Sequence, residues 1–322
     1  MKNKLFTALL LLCIGTCVPA LAQQDPQFSQ YMFNTLNFNP AYAGVEGRTK
    51  FQLLHRWQWT TYQTSYPTDV GGAPTTTNFS LNTPILRLRS GLGVHVVNDN
   101  LGPLRNLDAQ VSYAYHFPVK KGKLSLGIRG GMFTQTLDFE QYRPIDRDDP
   151  NLVDRTGRES QVRPDLALGI FYRAEKFYGG VSVNHIIRSE FDFGSDDLKN
   201  PLSNHVYLTA GYDYDLTYQV VLTPSVLLKS DFNSYSVEVS TLATYEQKFW
   251  GGLTFRQGDA IGAIVGVAFG KDKPYRLGYA FDYIIKAQQA KRPTSNEVLF
   301  SYTLPPPIPS TKSVTRTPRF RY

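Results

Sequence analysis

Residues 163–187 show a pattern that recurs along most of the chain, in which large apolar residues alternate with small or polar ones. Leu166, Leu168 and Ile170 stand at every second position, while Asp165 and Gly169 stand at positions of the opposite parity. Because successive side chains of a strand point to opposite faces, this period of two predicts a strand with one apolar face. The pattern stops at residues 174–176 and then restarts, a break short enough for a hairpin turn. The repeating unit is therefore a pair of antiparallel strands.

The alternation continues from residue 48 and predicts about fourteen strands, each near the ~10 residues that a tilted membrane-crossing strand needs. The predicted strands begin near Thr49, Thr75, Gly91, Leu104, Lys123, Pro164, Lys176, His205, Tyr218, Asn233, Lys248, Asp259, Tyr275 and Asn296. A water-soluble sandwich of two sheets would also alternate, so the alternation alone leaves both folds open.

The lengths of the connections favour the membrane fold. Long connections at residues 60–74, 138–162, 188–204 and 286–295 all follow odd-numbered strands, and the even-numbered connections are short. Long loops at one end and tight turns at the other are typical of outer-membrane barrels, whose turns face the periplasm. We therefore predict an all-β, transmembrane antiparallel barrel in the outer membrane. An even number of strands places both termini in the periplasm.

Composition agrees with a barrel and excludes a bundle of membrane helices. The chain has 322 residues, of which 42% are hydrophobic and 13% aromatic. Its mean hydropathy is −0.29. Membrane helices need runs of ~20 apolar residues, whereas the strands of a barrel are polar on alternate positions.

The two ends of the chain depart from the strand pattern. Residues 1–22 read as a signal peptide, with an apolar core after Lys2 and Lys4 and a cleavage site at Ala20-Leu21-Ala22. Both cysteines of the chain lie in this segment, so the mature chain has no thiol chemistry. Residues 305–322 form a Pro-rich and basic tail, predicted on the periplasmic side.

Residues 23–47 do not alternate and are rich in Asn, Gln and aromatic residues. A short helix is expected at residues 27–36. A barrel of ~14 strands lies between small barrels filled by side chains and porins that hold a channel, so its interior needs filling. We therefore expect residues 23–47 to fold into the lumen as a plug, with residues 48–304 forming the barrel.

No residues with the spacing of a catalytic or cofactor site are found. The five histidines lie on separate predicted strands, so no metal ligands or cofactors are predicted. The excess of basic residues is scattered, which argues against nucleic-acid binding. The charged residues predicted to face inward have two readings, a selective lumen or cross-strand salt bridges in the wall; they are Asp108, Arg129, Asp165, Arg173, Glu238, Arg256, Arg276 and Asp282.

Short motifs spread over the mature chain carry a family resemblance. They are Asp25-Pro26-Gln27-Phe28-Ser29-Gln30-Tyr31-Met32, Asn39-Pro40-Ala41-Tyr42-Ala43-Gly44, Arg56-x-Gln58-Trp59, Gly72-Ala73-Pro74-x-Thr76, Phe177-Tyr178-Gly179-Gly180-Val181-Ser182, Phe249-Trp250-Gly251-Gly252-Leu253 with Arg256, and Arg276-Leu277-Gly278-Tyr279-Ala280-Phe281-Asp282-Tyr283. With these motifs the chain resembles the PorP/SprF family of outer-membrane proteins of the type IX secretion system in Bacteroidetes. It departs from the family at Asn296, where a histidine is common.

The resemblance implies a non-enzymatic role in the secretion or surface attachment of cargo proteins, including adhesins of gliding motility. Its implied partners are the C-terminal domains of cargo proteins, periplasmic secretion components and outer-membrane lipid. Candidate partner-binding residues are Asn39, Pro40, Tyr42, Gly44, Arg56 and Gln58, with the long loop at residues 138–162. The same residues could instead serve folding and plug packing. The alternative function is a passive porin or an uptake channel for hydrophobic ligands.

Overall fold

Fourteen long antiparallel strands form the chain's main structural unit in a computed structural model. The model describes residues 25–60, 62, 72–142, 156–193, 200–286 and 293–305. The strands are β1 Lys50–Trp57, β2 Thr75–Ile85, β3 Ser90–Leu101, β4 Leu104–Val119, β5 Gly122–Asp138, β6 Arg158–Arg173, β7 Phe177–Asn184, β8 His205–Tyr212, β9 Val220–Ser230, β10 Tyr235–Tyr245, β11 Phe249–Arg256, β12 Ala260–Phe269, β13 Tyr275–Ile284 and β14 Thr294–Thr303. The predicted signal peptide, residues 1–22, and residues 306–322 of the predicted tail lie outside the described residues.

The sheet closes on itself. Each strand pairs with the next along the chain, and β14 pairs with β1 through a register that runs from Lys50 opposite Thr303 to Trp57 opposite Asn296. β8 pairs with β9 in the same way, so the ring has no open edge among these strands. A closed antiparallel barrel satisfies the backbone groups of every strand, which a membrane demands. The predicted barrel fold is confirmed.

The two faces of the wall differ as the alternation predicts. On β4, Leu107, Val111 and Tyr113 are exposed on the outside, whereas Gln110 and Ser112 are buried on the inside. The same outward exposure of large apolar side chains occurs in every part of the ring, for instance at Leu53, Phe79, Ile128, Leu168, Val181, Leu253, Val265 and Leu277. Apolar groups outside and polar groups inside are the pattern of a barrel surrounded by lipid.

The four longest connections are residues 58–74, 139–157, 185–204 and 285–293, and they follow β1, β5, β7 and β13. They lie at the end of the barrel that holds Trp57 and Thr75, which we call the long-connection mouth. The opposite end, which holds Lys50 and Thr303, is the short-turn mouth. The predicted parity of long and short connections is thus confirmed.

The predicted strand starts agree with the structure to within two residues, except for β6. That strand begins at Arg158, six residues before the predicted start at Pro164. Proline has no N–H to donate, which disfavours it inside a sheet. Here β6 pairs with β7 only from Leu168 onward, so Pro164 lies where the strand has one neighbour and needs no second hydrogen bond.

Candidate functional site

Residues 25–47 lie against the inner faces of strands all round the barrel and run along its length. Near the long-connection mouth, Lys229 of β9 donates a hydrogen bond to the main-chain oxygen of Asp25 at 2.7 Å. At the short-turn mouth, the main-chain N–H of Gly44 donates to Asn82 of β2 at 2.6 Å. The segment therefore crosses the interior from the long-connection mouth to the short-turn mouth before β1 begins.

The predicted periplasmic placement of both chain ends stays a prediction, because residues 1–24 and 306–322 lie outside the described residues. The strand count placed both termini at the short-turn mouth, and Leu304 does lie there, donating its N–H to Thr49 at 2.8 Å. Asp25, the first described residue, instead lies near the opposite mouth. Counting strands could not reveal this, because the lumen segment contributes no strand yet crosses the barrel once.

The expected continuous helix at residues 27–36 is absent, and the whole described segment, residues 25–47, contains three single turns instead. They are the 3₁₀ turns Tyr31–Phe33 and Pro40–Tyr42 and the α-turn Thr35–Phe38. The main-chain N–H groups of Ser29 and Gln30 both donate to the carboxylate of Glu297 on β14 at 3.0 Å. Because the wall supplies these partners, the backbone at this point needs no continuous helix to satisfy its donors.

A buried charge network surrounds Ser29. Arg56 of β1 contacts Asp282 of β13 at 2.8 Å and Glu297 of β14 at 3.2 Å, and it also donates to the Ser29 hydroxyl at 3.0 Å. These three charged side chains are at most 2% exposed. On the neighbouring strands β10 and β11, Glu238 and Arg256 form a second buried ion pair at 3.2 Å. The inward charges therefore form cross-strand salt bridges and also hold the segment, which supports the structural reading over that of a selective lumen.

Residues 39–44 pack closely against glycines on the inner face of the wall. A Cβ at Gly91, Gly127 or Gly169 would overlap the main chain of Ala43, the main chain of Ala41 or the amide of Asn39, respectively. Asn39 fixes the turn locally, because its side-chain oxygen accepts from Ala41 N–H at 2.9 Å. Its side-chain amide donates to main-chain oxygens of β6 and β7 at 3.1 and 3.3 Å. Glycine at these positions is what allows the backbone of the segment to touch the wall.

Replacing one of these glycines should loosen residues 39–44. In the Gly127→Val variant we expect the amides of residues 41–44 to lose protection in hydrogen–deuterium exchange, since the added side chain occupies the place of Ala41. The matched control is Gly251→Val, whose Cβ would meet only an ordinary contact at 3.7 Å. Unchanged protection of residues 41–44 in Gly127→Val would show that the glycines do not seat the segment.

The candidate partner-binding residues fall into two groups. Asn39, Pro40, Gly44 and Arg56 are buried inside the barrel, whereas Tyr42 and Gln58 keep partial exposure. Tyr42 donates to Glu46 at 2.8 Å, and the ring packs edge-on against Phe171 at 5.2 Å. The structure therefore brings five of the six to the lumen segment or its ion pairs, and it places Gln58 just beyond β1. Their role in binding a partner stays a prediction.

A cluster of Asp25, His185 and His205 was missed by the sequence reasoning. Asp25 Oδ1 lies 2.8 Å from His185 Nε2, and Asp25 Oδ2 lies 3.8 Å from His205 Nδ1. Their spacing along the chain gave no signal, because Asp25 precedes β1 whereas the two histidines lie after β7 and at the start of β8. A weaker signal did exist, because His185 follows β7, His205 begins β8, and antiparallel neighbours joined by one connection bring such ends together.

The charged groups of this cluster are buried together and shift each other's pKa values. Burial alone raises the pKa of Asp25, but His185, His205 and Lys229 outweigh it and hold that pKa well below its ordinary value. Burial likewise lowers the pKa of His185, and the carboxylates of Asp25 and Asp165 overcome it and raise the pKa to about 10. The His185 ring is thus held between two carboxylates, with Asp165 3.0 Å from its Nδ1.

Taken together, a closed ring of fourteen strands, an apolar exterior and a polar interior crossed by one segment define a transmembrane β-barrel protein of the outer membrane. Among the described residues, no helix is long and apolar enough to cross a membrane. The family model described as "Type IX secretion system membrane protein PorP/SprF" matches residues 20–302. The chain belongs to this family, and the resemblance seen in its motifs is confirmed.

Solved structures with a similar fold are outer-membrane barrels and channels. Omp33 of Acinetobacter baumannii is 9% identical over 80% of this chain and 98% of its own, with a TM-score of 0.46. The CymD monoaromatic hydrocarbon channel is 12% identical over 80% and 87%, also at 0.46. The Pseudomonas putida toluene transporter TodX is 10% identical over 84% and 92%, at 0.45. A search of curated proteins finds no match. At these values the activities of the similar structures do not transfer to this chain.

Proposed function

We propose that this barrel is a non-enzymatic part of the type IX secretion system that supports secretion or surface attachment of specific cargo proteins, such as gliding adhesins. It does so by docking the C-terminal domains of cargo or periplasmic secretion components. The single observation that supports docking over passive uptake is the course of residues 25–47, which contact the inner wall from Lys229 near one mouth to Asn82 at the other. Two cavities beside this segment measure about 30 Å³ each.

The candidate residues divide between two tasks in this proposal. Asn39, Pro40, Gly44 and Arg56 are buried and hold the lumen segment against the wall. Tyr42 lies toward the short-turn mouth and Gln58 at the long-connection mouth, and both keep some exposure. These two side chains are therefore the ones we propose to touch a docked protein. The exposed apolar exterior contacts outer-membrane lipid.

Affinity purification of the tagged protein from outer membranes, followed by mass spectrometry, tests the proposal. We expect large secreted proteins or periplasmic secretion components to co-purify, and we expect Tyr42→Ala or Gln58→Ala to lower their yield. Gln219→Ala, a partly exposed glutamine on the turn between β8 and β9, is the matched control. Recovery of the barrel without protein partners, together with strong ion conductance of the unaltered chain, would favour the porin instead.

A further inference from the structure

The strongest unassigned feature of the molecule is the cluster around Asp25, the first described residue of the lumen segment. One ligand atom each from Asp25, His185 and His205 lies within 4.8 Å of the other two. The His185 and His205 rings pack edge to face with their centroids 5.7 Å apart. Three side chains able to coordinate a metal therefore converge from the segment, from the end of β7 and from the start of β8.

The His185 imidazole is oriented as metal ligands usually are, and the His205 imidazole has one ring nitrogen without a partner in the part of the chain that the structure describes. A ligating histidine normally donates its other ring N–H to a carboxylate or a main-chain carbonyl, which fixes the ring. Nδ1 of His185 lies 3.0 Å from the Asp165 carboxylate, and Nδ1 of His205 lies 2.9 Å from the main-chain oxygen of Ser203. Among the described residues, Nε2 of His205 is buried with no hydrogen-bond partner. A buried ring nitrogen without a partner is costly, and a metal ion would satisfy it.

There is also space for a further ligand. A cavity of about 30 Å³ borders Asp25, His185 and Asn184. A water molecule needs ~10–15 Å³ measured in this way, so the cavity has room for the water ligand of a four-coordinate site. Lys229 donates to the main-chain oxygen of Asp25, and the Tyr207 hydroxyl donates to the Asp25 carboxylate.

We propose that Asp25, His185 and His205 form a binding site for a divalent transition-metal ion of the zinc class. Two imidazoles and one carboxylate are the ligand set of open zinc sites, whereas calcium and magnesium prefer oxygen ligands alone. Because Asp25 is the first described residue of the lumen segment, the ion ties this end of the segment to the wall.

Zinc titration of the full mature barrel tests the proposal. The protein is purified in detergent without a polyhistidine tag, treated with a chelator and titrated with Zn²⁺ by isothermal calorimetry. We expect one ion per chain. His185→Asn and His205→Asn should each weaken binding by more than the roughly 10–100-fold that loss of an outer partner costs, and Asp165→Asn should fall within that range. Co²⁺ should give the absorption of a tetrahedral site in the unaltered chain only.

Matched controls keep the outcome decisive. His95→Asn and His116→Asn remove other inward imidazoles and should leave zinc binding unchanged. Asp25→Asn alters no wall strand, so it serves as the ligand variant if a histidine variant fails to show the heat-dependent gel mobility of a folded barrel. The proposal is overturned if the folded, unaltered barrel binds no zinc, or if it binds zinc equally well after Asp25→Asn. Both results are independent of any role in secretion.

Discussion

Removal of residues 25–43 is expected to turn a weakly conducting barrel into one that passes large currents across planar lipid bilayers. The segment occupies the interior from one mouth to the other, and the two cavities beside it hold little more than single water molecules. A ring of ~14 strands is too wide for its own side chains to fill alone. Without the segment, water and ions should therefore cross.

The measurement is single-channel conductance of the refolded deletion variant beside the full mature chain. Gly251→Val, which alters the outer face, should conduct no more than the unaltered barrel. That the segment blocks passage stays a prediction until this is done. If the deletion variant folds and conducts no better than the full chain, the lumen is closed by something other than residues 25–43.

Loss of Arg56 is expected to cost about 3–5 kcal/mol of unfolding free energy, the usual result of leaving a buried charge without its partner. Arg56→Ala strands two carboxylates, Asp282 and Glu297, inside the barrel, and it removes a donor to the Ser29 hydroxyl. Urea unfolding in lipid vesicles, followed by tryptophan fluorescence, gives the difference between the variant and the unaltered chain.

An exposed ion pair supplies the control for that experiment. Lys176→Ala breaks the pair with Asp215, in which both side chains are about half exposed, and it should cost far less unfolding free energy than Arg56→Ala does. Changing Asp282→Asn and Glu297→Gln together with Arg56→Met removes the stranded charges and should recover part of the loss. A cost for Arg56→Ala as small as that of Lys176→Ala would mean that water in the lumen screens the network.

The barrel wall could be predicted from the sequence because each strand carries its own signal. Alternation along β4 and the short turn at residues 174–176 are local, and pairing of neighbours then follows from chain order. The closure of β14 on β1 also follows, since a membrane tolerates no open edge. Even the error at β6 was local, because Pro164 was read as a strand start.

The interior could not be predicted in the same way. Ser29 meets Glu297 and Asp25 meets His185, contacts that join residues far apart in the chain and leave no periodic trace. The motif at residues 39–44 was recognised as part of the family resemblance, but its partners are glycines on the strands β3, β5 and β6. Glycine in a strand indicates a close backbone approach without saying what approaches. The path of the segment through the barrel could therefore not be predicted from the residue types in the sequence.

The course of residues 25–47 also determines by which mouth the segment can leave the barrel interior. The segment is continuous with β1 at the short-turn mouth, while Asp25, its first described residue, is held near the long-connection mouth by non-covalent contacts with Lys229 and His185. Because the covalent link to β1 lies at the short-turn mouth, we expect the segment to leave the barrel only through that mouth. A ligand or protein that binds the segment at the short-turn mouth is therefore expected to withdraw it. One that pulls from the long-connection mouth is opposed by the covalent link to β1.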